Sequence, residues 1–321
     1  MTTAVVFAYH NVGARCLRTL LARGIDVTLV VTHVDNPNET IWFASVAKIA
    51  AEHAIPTITP DDANTPDVVD RIRALKPDFL FSFYYRSMLG RPLLEAASRG
   101  ALNMHGSLLP KYRGRVPINW AIIHGETETG ATLHYMTEKP DNGDIVAQQR
   151  VPILPDDTAR EVFEKATVAA ELALYDVLPA LIAGTAPRIV QDLSLGGYFG
   201  GRKPEDGRID WTKSAREVHN LVRAVAPPYP GAFSDTSLGR LVVNRTRVVE
   251  ASGTFVAPLL LRVAHDRLYA DCGLGTLEIL DAILDATLDA TLDATVDATV
   301  DGEGSAASVA SRIGPGGLAL S

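Results

Sequence analysis

The segment TAVVFAYHNVGARCLRTLLARGIDVTLVVTH (residues 3–33) decides the fold class. It begins with a short apolar run at 3–9, continues through a helical segment at 16–24 and returns to an apolar run at 26–33. Short apolar runs of this kind are typical of strands that are buried on both faces, and helices often end at a glycine such as Gly24. The segment therefore predicts a strand–helix–strand unit of the kind that builds a parallel sheet.

The same alternation continues along the first half of the chain. Further helices are predicted at 42–54, 66–76 and 158–184, and further strands at 78–85, 130–136 and 144–153. We therefore predict an α/β domain, Rossmann-like and doubly wound, over residues 1–200. Active sites of such sheets lie at the carboxyl ends of the strands, so that is where candidate residues are sought.

The second half of the chain has a different pattern. The Gly-rich stretch at 195–207 is the linker candidate, and a short helix followed by several β-like runs predicts a small OB-like β-barrel domain over 205–280. The repeat DAIL-DATL-DATL-DATV-DATV begins at residue 281. We expect 281–321 to be a low-complexity acidic tail, mostly disordered or partly helical, with a binding role as the alternative.

Composition narrows the functional classes. The chain has 321 residues and a net charge of -8, which disfavours nonspecific binding to nucleic acid. Its two cysteines, Cys16 and Cys272, lie far apart and have neither metal-site nor redox-motif spacing. The N-terminus lacks the pattern of a signal peptide, and no apolar run approaches the ~20 residues of a membrane span. A cytoplasmic protein is expected, with no membrane partner.

Common cofactor motifs are absent from the sequence. The turn after the first strand holds a single glycine, Gly13, so the GxGxxG dinucleotide fingerprint is missing, and there is no Walker A sequence. The eight histidines form no metal-binding spacing, and His124 and His134 are interpreted as structural. A dehydrogenase, an NTPase and a metal enzyme are therefore all disfavoured.

Asn103 and His105 follow the apolar run ALNM at a predicted strand end. Because they alternate along a strand, their side chains point to one side. Asn supplies an N–H donor for an oxyanion, and His moves protons near neutral pH. Asp141 is a candidate to orient the His, although spacing alone does not show that the two meet. Taken alone, the three residues fit equally well as ordinary turn and cap residues.

A set of short motifs in fixed order carries a family resemblance. The elements are Asn103-x-His105, Ser107 to Pro110, Arg113-Gly114, Thr129-Gly130-Ala131-Thr132 and Asp141-Asn142-Gly143. Together they resemble the signature of the 10-formyltetrahydrofolate-dependent formyltransferases, over about residues 1 to 280. THVDNP (32–37), FSFYYR (81–86) and RAVAPPYPGAFS (223–234) are similar to one branch of that family, the formyltransferase domain of bifunctional UDP-4-amino-4-deoxy-L-arabinose formyltransferases/UDP-glucuronate decarboxylases.

The resemblance implies a role for each matching residue. Asn103 would donate to the oxyanion, His105 would shuttle the proton, and Asp141 would raise the His105 pKa and fix its orientation. The folate-contacting positions would be Ser87, Met88 and Leu89 together with Thr137, Glu138, Lys139, Pro140 and Asp141. For Met88 and Leu89 the alternative is plain helix core. Arg115 would contact a nucleotide-sugar, whereas Lys111 and Arg113 fit equally well as assisting or merely solvated residues.

The expected reaction is formyl transfer from 10-formyltetrahydrofolate to the amine of a nucleotide-linked amino sugar, UDP-4-amino-4-deoxy-L-arabinose, without a metal. The decarboxylation step of the bifunctional relatives would then belong to a separate decarboxylase partner. One alternative is methionyl-tRNA formyltransferase, which needs a basic face. Residues 201–250 carry nine Lys/Arg against six Asp/Glu, and 251–321 carry three against ten, so this alternative and any nucleic-acid partner are disfavoured. A folate-binding module with an inactive site is the other alternative, and the intact Asn103, His105 and Asp141 argue against it.

Overall fold

The computed structural model describes residues 1–37, 39, 41–254, 259–285, 306–313 and 317–320. The chain forms two compact units. The first comprises Met1–Pro117, Glu128–Pro152 and Phe163–Gly201, and the second comprises Ile118–Thr127, Ile153–Val162 and the chain from Arg202 onward.

The first nine strands and six helices follow the alternation seen in the sequence. The strands are β1 (Thr3–Ala8), β2 (Asp26–Val31), β3 (Thr57–Ile58), β4 (Phe79–Phe83), β5 (Ala101–His105), β6 (Arg113–Gly114), β7 (Glu128–Tyr135), β8 (Ile145–Pro152) and β9 (Tyr198–Phe199). The helices are α1 (His10–Ala22), α2 (Val46–Glu52), α3 (Pro66–Ala74), α4 (Arg91–Leu94), α5 (Pro117–Ile123) and α6 (Ala159–Ala183).

Seven of these strands form one mixed sheet in the order β3-β2-β1-β4-β5-β7-β8. The neighbours from β3 to β5 pair in parallel, and β7 and β8 join antiparallel. Strands β1 and β4 are central and almost wholly buried, which explains their continuous apolar sequences. The single glycine of the first turn serves packing, since a Cβ at Gly13 would lie 3.2 Å from the Phe83 carbonyl oxygen. The predicted Rossmann-like α/β fold is confirmed.

The helix predicted at 42–54 is shorter than the sequence suggested. It begins at Val46, where the Ser45 hydroxyl accepts from the Lys48 N–H as an N-cap. Trp42 and Phe43 instead lie before the helix, with ring centroids 4.6 and 4.0 Å from that of His10. The prediction for 42–45 was wrong because apolar residues at helical spacing also suit a loop that packs aromatic rings.

The Gly-rich segment at 195–207 is more structured than a linker. Its Tyr198–Phe199 pair forms β9, which runs parallel to β6 in a two-stranded sheet. Gly114 lies in β6, where a Cβ would stand 2.2 Å from the Phe199 carbonyl oxygen. The segment therefore belongs to the first unit as far as Gly201.

From Arg202 onward, the described residues of the second unit form six antiparallel strands and two α-helices. They are α7 (Ala215–Val225), β10 (Ala232–Thr236), β11 (Gly239–Thr254), β12 (Leu259–Ala264), β13 (Arg267–Asp271), β14 (Leu274–Asp285), α8 (Ala306–Ala310) and β15 (Leu318–Leu320). The strands are ordered β10-β11-β14-β13-β12-β15. Helix α7 starts with a capping box between Ser214 and Glu217, and its apolar face is buried. The predicted small β-barrel-like domain is confirmed.

The prediction of a disordered tail from residue 281 is wrong for the part that the structure describes. Residues 281–285 complete β14, because ILDAILD continues the pairing of that strand with β11. Near the end of the chain, β15 pairs antiparallel with β12, with Leu318 opposite Leu261. The repeat at 286–300 lies outside the described residues.

Among the described residues, α6 is the one helix long and apolar enough to meet the criteria for a membrane span. Half of the most apolar part of this helix is buried inside the protein.

Candidate active site

The side chains of Asn103 and His105 lie at the carboxyl end of β5, as predicted. His105 is only 6% exposed. Its Nε2 lies 2.8 Å from the carbonyl oxygen of Tyr112. Because a carbonyl oxygen can only accept, Nε2 carries the hydrogen, and Nδ1 of the neutral ring holds a lone pair.

That lone-pair nitrogen faces Asp141. His105 Nδ1 and Asp141 Oδ1 are 3.5 Å apart, which is an ion-pair distance rather than a hydrogen bond. The other carboxylate oxygen accepts from the Gly114 N–H at 2.8 Å. The structure thus brings together the two residues whose meeting the sequence could not show.

The pKa values of these two groups are shifted in ways that suit a base and its counter-ion. Burial lowers the pKa of His105 and outweighs the opposing influence of Asp141, so the ring is neutral near pH 7. Burial works against ionisation of Asp141, but His105, His134 and the Gly114 N–H prevail and hold its pKa at about 2. Asp141 raises the His105 pKa as the resemblance implied, although the net direction for His105 is downward.

His134, which was interpreted as a structural histidine, belongs to this cluster. It is 1% exposed and stands opposite Asn103 in the β5–β7 register. Its Nδ1 donates to the Tyr135 carbonyl oxygen at 2.9 Å, which leaves Nε2 to accept from Asn103 Nδ2 at 3.2 Å. The same Nε2 lies 3.5 Å from Asp141 Oδ1. The only sequence signal was the histidine's position 31 residues after Asn103, which has meaning only once the strands pair.

Several residues of the signature motifs position the loop that follows β5. The Ser107 hydroxyl donates to the Lys111 carbonyl oxygen at 2.6 Å, and the Thr132 hydroxyl donates to the Ser107 carbonyl oxygen at 2.6 Å. Thr132 also accepts from the Leu109 N–H at 3.1 Å. These bonds fix the turn that presents the Tyr112 carbonyl to His105.

The turn that carries Asp141 has an unusual backbone. Asp141 adopts a φ of 56°, in the left-handed region that non-glycine residues seldom occupy. Two residues later, a Cβ at Gly143 would lie 1.9 Å from the Tyr135 carbonyl oxygen, so no other residue fits there without a shift. Such strain is concentrated at functional sites.

The two segments assigned to folate by resemblance are linked to each other. Arg91, which follows the first segment, lies 3.8 Å from Glu138 in the second. Leu89 is buried in the core cluster against which Met136 packs. Met88 is 61% exposed and lies outside any helix, and its carbonyl accepts from the Asn64 amide at 2.9 Å. The alternative that both residues belong to a helix core therefore does not hold for Met88. Leu89 is buried as that alternative requires, but it too lies outside a helix.

The basic residues after His105 have different surroundings. Arg115 is exposed, and its guanidinium group lies beside Gly201, where a Cβ would stand 3.4 Å from Arg115 Nη1. Arg113 is not a solvated residue, because its guanidinium donates to the Asn142 side chain at 3.0 Å and to the Gly196 carbonyl oxygen at 2.9 Å. Lys111 is exposed. Of the residues described, no group of three or more His, Cys, Asp or Glu side chains is arranged to hold a metal ion.

Comparison with known proteins agrees with this arrangement. Two solved structures cover 87% of this chain: the N-formyltransferase from Helicobacter canadensis in complex with folinic acid and dTDP-3-aminofucose (TM-score 0.69, 21% identity, 98% of that chain), and WlaRD, a sugar 3N-formyl transferase (TM-score 0.67, 19% identity, 97% of that chain). A 4-N formyltransferase from Francisella tularensis matches with a TM-score of 0.60 and 21% identity, over 72% of this chain and 91% of that one. At these identities the likeness shows a shared fold.

Two family models match directly and in sequence order. The model described as formyl transferase matches residues 4–178, more than half of the chain, and the model described as formyl transferase, C-terminal domain, matches 202–291. The first match contains the cluster of Asn103, His105, His134 and Asp141. The chain therefore belongs to the formyl transferase family.

Proposed function

We propose that this enzyme transfers a formyl group from 10-formyltetrahydrofolate to the amine of a nucleotide-linked amino sugar, with UDP-4-amino-4-deoxy-L-arabinose as the acceptor. The observation that carries the proposal is the buried cluster at the end of β5. There an amide donor, a neutral imidazole and an ionised carboxylate meet. Two proteins with the same fold support the acceptor class: an N-formyltransferase solved with dTDP-3-aminofucose and a sugar 3N-formyl transferase.

The chemistry is nucleophilic addition followed by elimination. The acceptor amine forms a C–N bond to the formyl carbon, and the carbonyl electrons move to oxygen to give a tetrahedral oxyanion. Asn103 donates one amide N–H to His134, and the second N–H is its donor for that oxyanion. A fixed donor at such a position is worth roughly 3–4 kcal/mol in the transition state. The bond to the folate nitrogen then breaks as the carbonyl re-forms.

His105 moves the proton between the two nitrogens. Nε2 is committed to the Tyr112 carbonyl, so the lone pair on Nδ1 takes the proton that the attacking amine loses. The imidazolium so formed stands 3.5 Å from Asp141 Oδ1, which stabilises its charge. The same proton then goes to the departing folate nitrogen. General acid–base help of this kind contributes ~10² to 10⁴ in rate.

The ligand-binding residues are part of the proposal. Ser87 to Leu89 and Thr137 to Asp141 would hold the folate, for which the exposed Met88 offers an apolar surface. Arg115 would bind the diphosphate of the nucleotide-sugar, because its planar fork matches phosphate oxygens and its side chain is exposed. We propose a cytoplasmic location for the enzyme.

The test is a parallel formyl-transfer assay from 10-formyltetrahydrofolate. The acceptors are UDP-4-amino-4-deoxy-L-arabinose, dTDP-3-aminofucose and charged initiator tRNA, and product is detected by mass. We expect turnover of the UDP-sugar and none of the tRNA. His105→Asn should abolish turnover while leaving folate binding by calorimetry intact, and His53→Asn, at an exposed histidine, is the matched control.

Each result has a distinct meaning. Turnover of dTDP-3-aminofucose alone would keep the reaction and replace the acceptor. Turnover of tRNA alone would refute the sugar assignment. Full activity of the His105→Asn enzyme would refute the proton-transfer role.

A further inference from the structure

Gln191 lies outside every signature motif, yet its side chain joins the turn that carries Asp141. It is 8% exposed. Its amide nitrogen donates to the carbonyl oxygen of Asp141 at 2.9 Å and to that of Gly143 at 2.6 Å. Both hydrogens of the amide group are thus used on one turn, and the Gln191 side-chain oxygen is buried without a hydrogen-bond partner. An amide oxygen that is buried without a hydrogen-bond partner lowers the stability of the protein. The two hydrogen bonds that the amide nitrogen donates therefore need an explanation.

Arg113 holds the same turn from the other direction. It donates from one guanidinium nitrogen to the Asn142 side chain and from another to the Gly196 and Leu193 carbonyl oxygens. Asn142 lies between the two carbonyls that Gln191 binds. The segment 191–196 is therefore attached to the Asp141 turn at both of its ends.

We propose that Gln191 is a positioning residue for the reaction, which holds the Asp141 carboxylate opposite His105 by fixing the backbone of its turn. The inference rests on the proposed function, because it concerns the counter-ion of the proposed base. Asp141 has a left-handed backbone, and a strained conformation persists only where its surroundings over-determine it. The two Gln191 bonds to Asp141 and Gly143 supply that constraint.

Loss of the Gln191 amide leaves two carbonyl oxygens without their donor. The turn then relaxes toward an ordinary backbone conformation, and the carboxylate moves away from the imidazole. Displacement of a catalytic group by about 1 Å can lower a rate 10²-fold. Arg115, the proposed nucleotide-sugar contact, is unchanged, so the effect should fall on kcat rather than on the KM for the sugar.

The first experiment is kinetic. Gln191→Met keeps the volume and removes both donors, and Gln149→Met is the matched control, since Gln149 bonds only the neighbouring Arg150 carbonyl in the part of the chain described. We expect kcat of Gln191→Met to fall about 10- to 100-fold with the KM for the sugar unchanged. Combined with Asp141→Asn, the two losses should be strongly non-additive, because Gln191 acts through Asp141. Additive losses would overturn the proposal.

A second measurement does not depend on turnover. The titration of His105 is followed by NMR of histidine-labelled enzyme without substrates. Asp141 raises the His105 pKa, so Gln191→Met should lower it further, in the direction of the Asp141→Asn enzyme. If the wild-type enzyme showed no sugar formylation, this comparison would still decide whether Gln191 positions Asp141.

Folding is controlled by a milder variant. Gln191→Asn is polar and too short to reach both carbonyls, so it should give a smaller change in the same direction. An unchanged His105 titration in a folded Gln191→Met or Gln191→Asn enzyme would overturn the proposal.

Discussion

Replacing Asp141 by Asn removes the charge beside the proposed base while keeping the shape of the side chain. A full charge pair at the observed 3.5 Å is worth 332/(20 × 3.5), or about 4–5 kcal/mol, at an effective dielectric constant of about 20. That interaction exists only when His105 is protonated, which is the state formed as the amine attacks. Each 1.36 kcal/mol is a factor of ten in rate, so kcat should fall by about 10³-fold.

The same substitution should also shift the pH dependence of the rate in a definite direction. Burial lowers the pKa of His105 and Asp141 raises it, so the base is active above its pKa and protonated below it. The rate should therefore fall on the acid side of neutrality. Asp141→Asn removes the influence that raises the pKa, and the acid limb of kcat/KM should move to lower pH.

Stability provides an independent check on Asp141. Its pKa is lowered to about 2, so its contribution to the free energy of unfolding is present above the unfolded-state pKa and is lost as the pH falls through about 2. Because His105 is neutral near pH 7, the loss of stability in Asp141→Asn should appear in acid, where His105 is protonated and Asp141 is still ionised, and it should vanish in strong acid; urea denaturation at a series of pH values measures it.

The assay is formyl transfer to the UDP-sugar from pH 5 to 9, with Asp144→Asn in the same turn as the control variant. A loss of activity smaller than tenfold, or an acid limb that moves to higher pH, would refute the assignment of Asp141 as the counter-ion of His105.

Three further predictions follow from neighbouring contacts. His134→Phe keeps a ring but removes the acceptor for the Asn103 amide, so kcat should fall about tenfold with little change in KM, and an unchanged kcat would show that Asn103 needs no such partner. Gly143→Ala should lower the free energy of unfolding in urea by about 1–3 kcal/mol, because its Cβ would meet the Tyr135 carbonyl, and wild-type stability would contradict the backbone geometry of the turn. A chain that stops before β15 should melt at a lower temperature in calorimetry, because β12 loses one of its two antiparallel neighbours, and an unchanged melting temperature would show that β15 adds no stability.

The sequence predicted those parts of the fold in which the pattern of apolar residues reflects the burial of the element. β1 and β4 are almost entirely apolar because both of their faces are covered, so the sequence alone was enough to predict two buried strands. The pairing of β6 with β9 was not visible, because each strand has only two residues and they lie more than 80 positions apart. The late start of the predicted helix, at Val46, was also hidden, since the rings of Trp42 and Phe43 before it pack against His10.

The site, too, has features that the sequence predicted and features that it did not. Asn103 and His105 share one strand, so their common direction follows from a period of two. Their meeting with Asp141 and His134 depends on the register of β5 with β7 and on a turn beyond β7. A single sequence contains neither the register nor the backbone angle of Asp141. The position of His134 beside Asn103 was therefore missed, and Asp141 was one candidate among turn residues until the family resemblance favoured it.

The structure also explains why the recognisable motif is longer than the set of residues proposed to react. Among the described residues, the hydroxyls of Ser107 and Thr132 bond none of the side chains proposed to react, but their hydrogen bonds fix the loop that ends at the Tyr112 carbonyl. That carbonyl decides which nitrogen of His105 carries its hydrogen, and hence which one is free to take a proton beside Asp141. The motif therefore specifies a tautomer as well as a position, and the protonation of the proposed base depends on residues whose own side chains are not proposed to react.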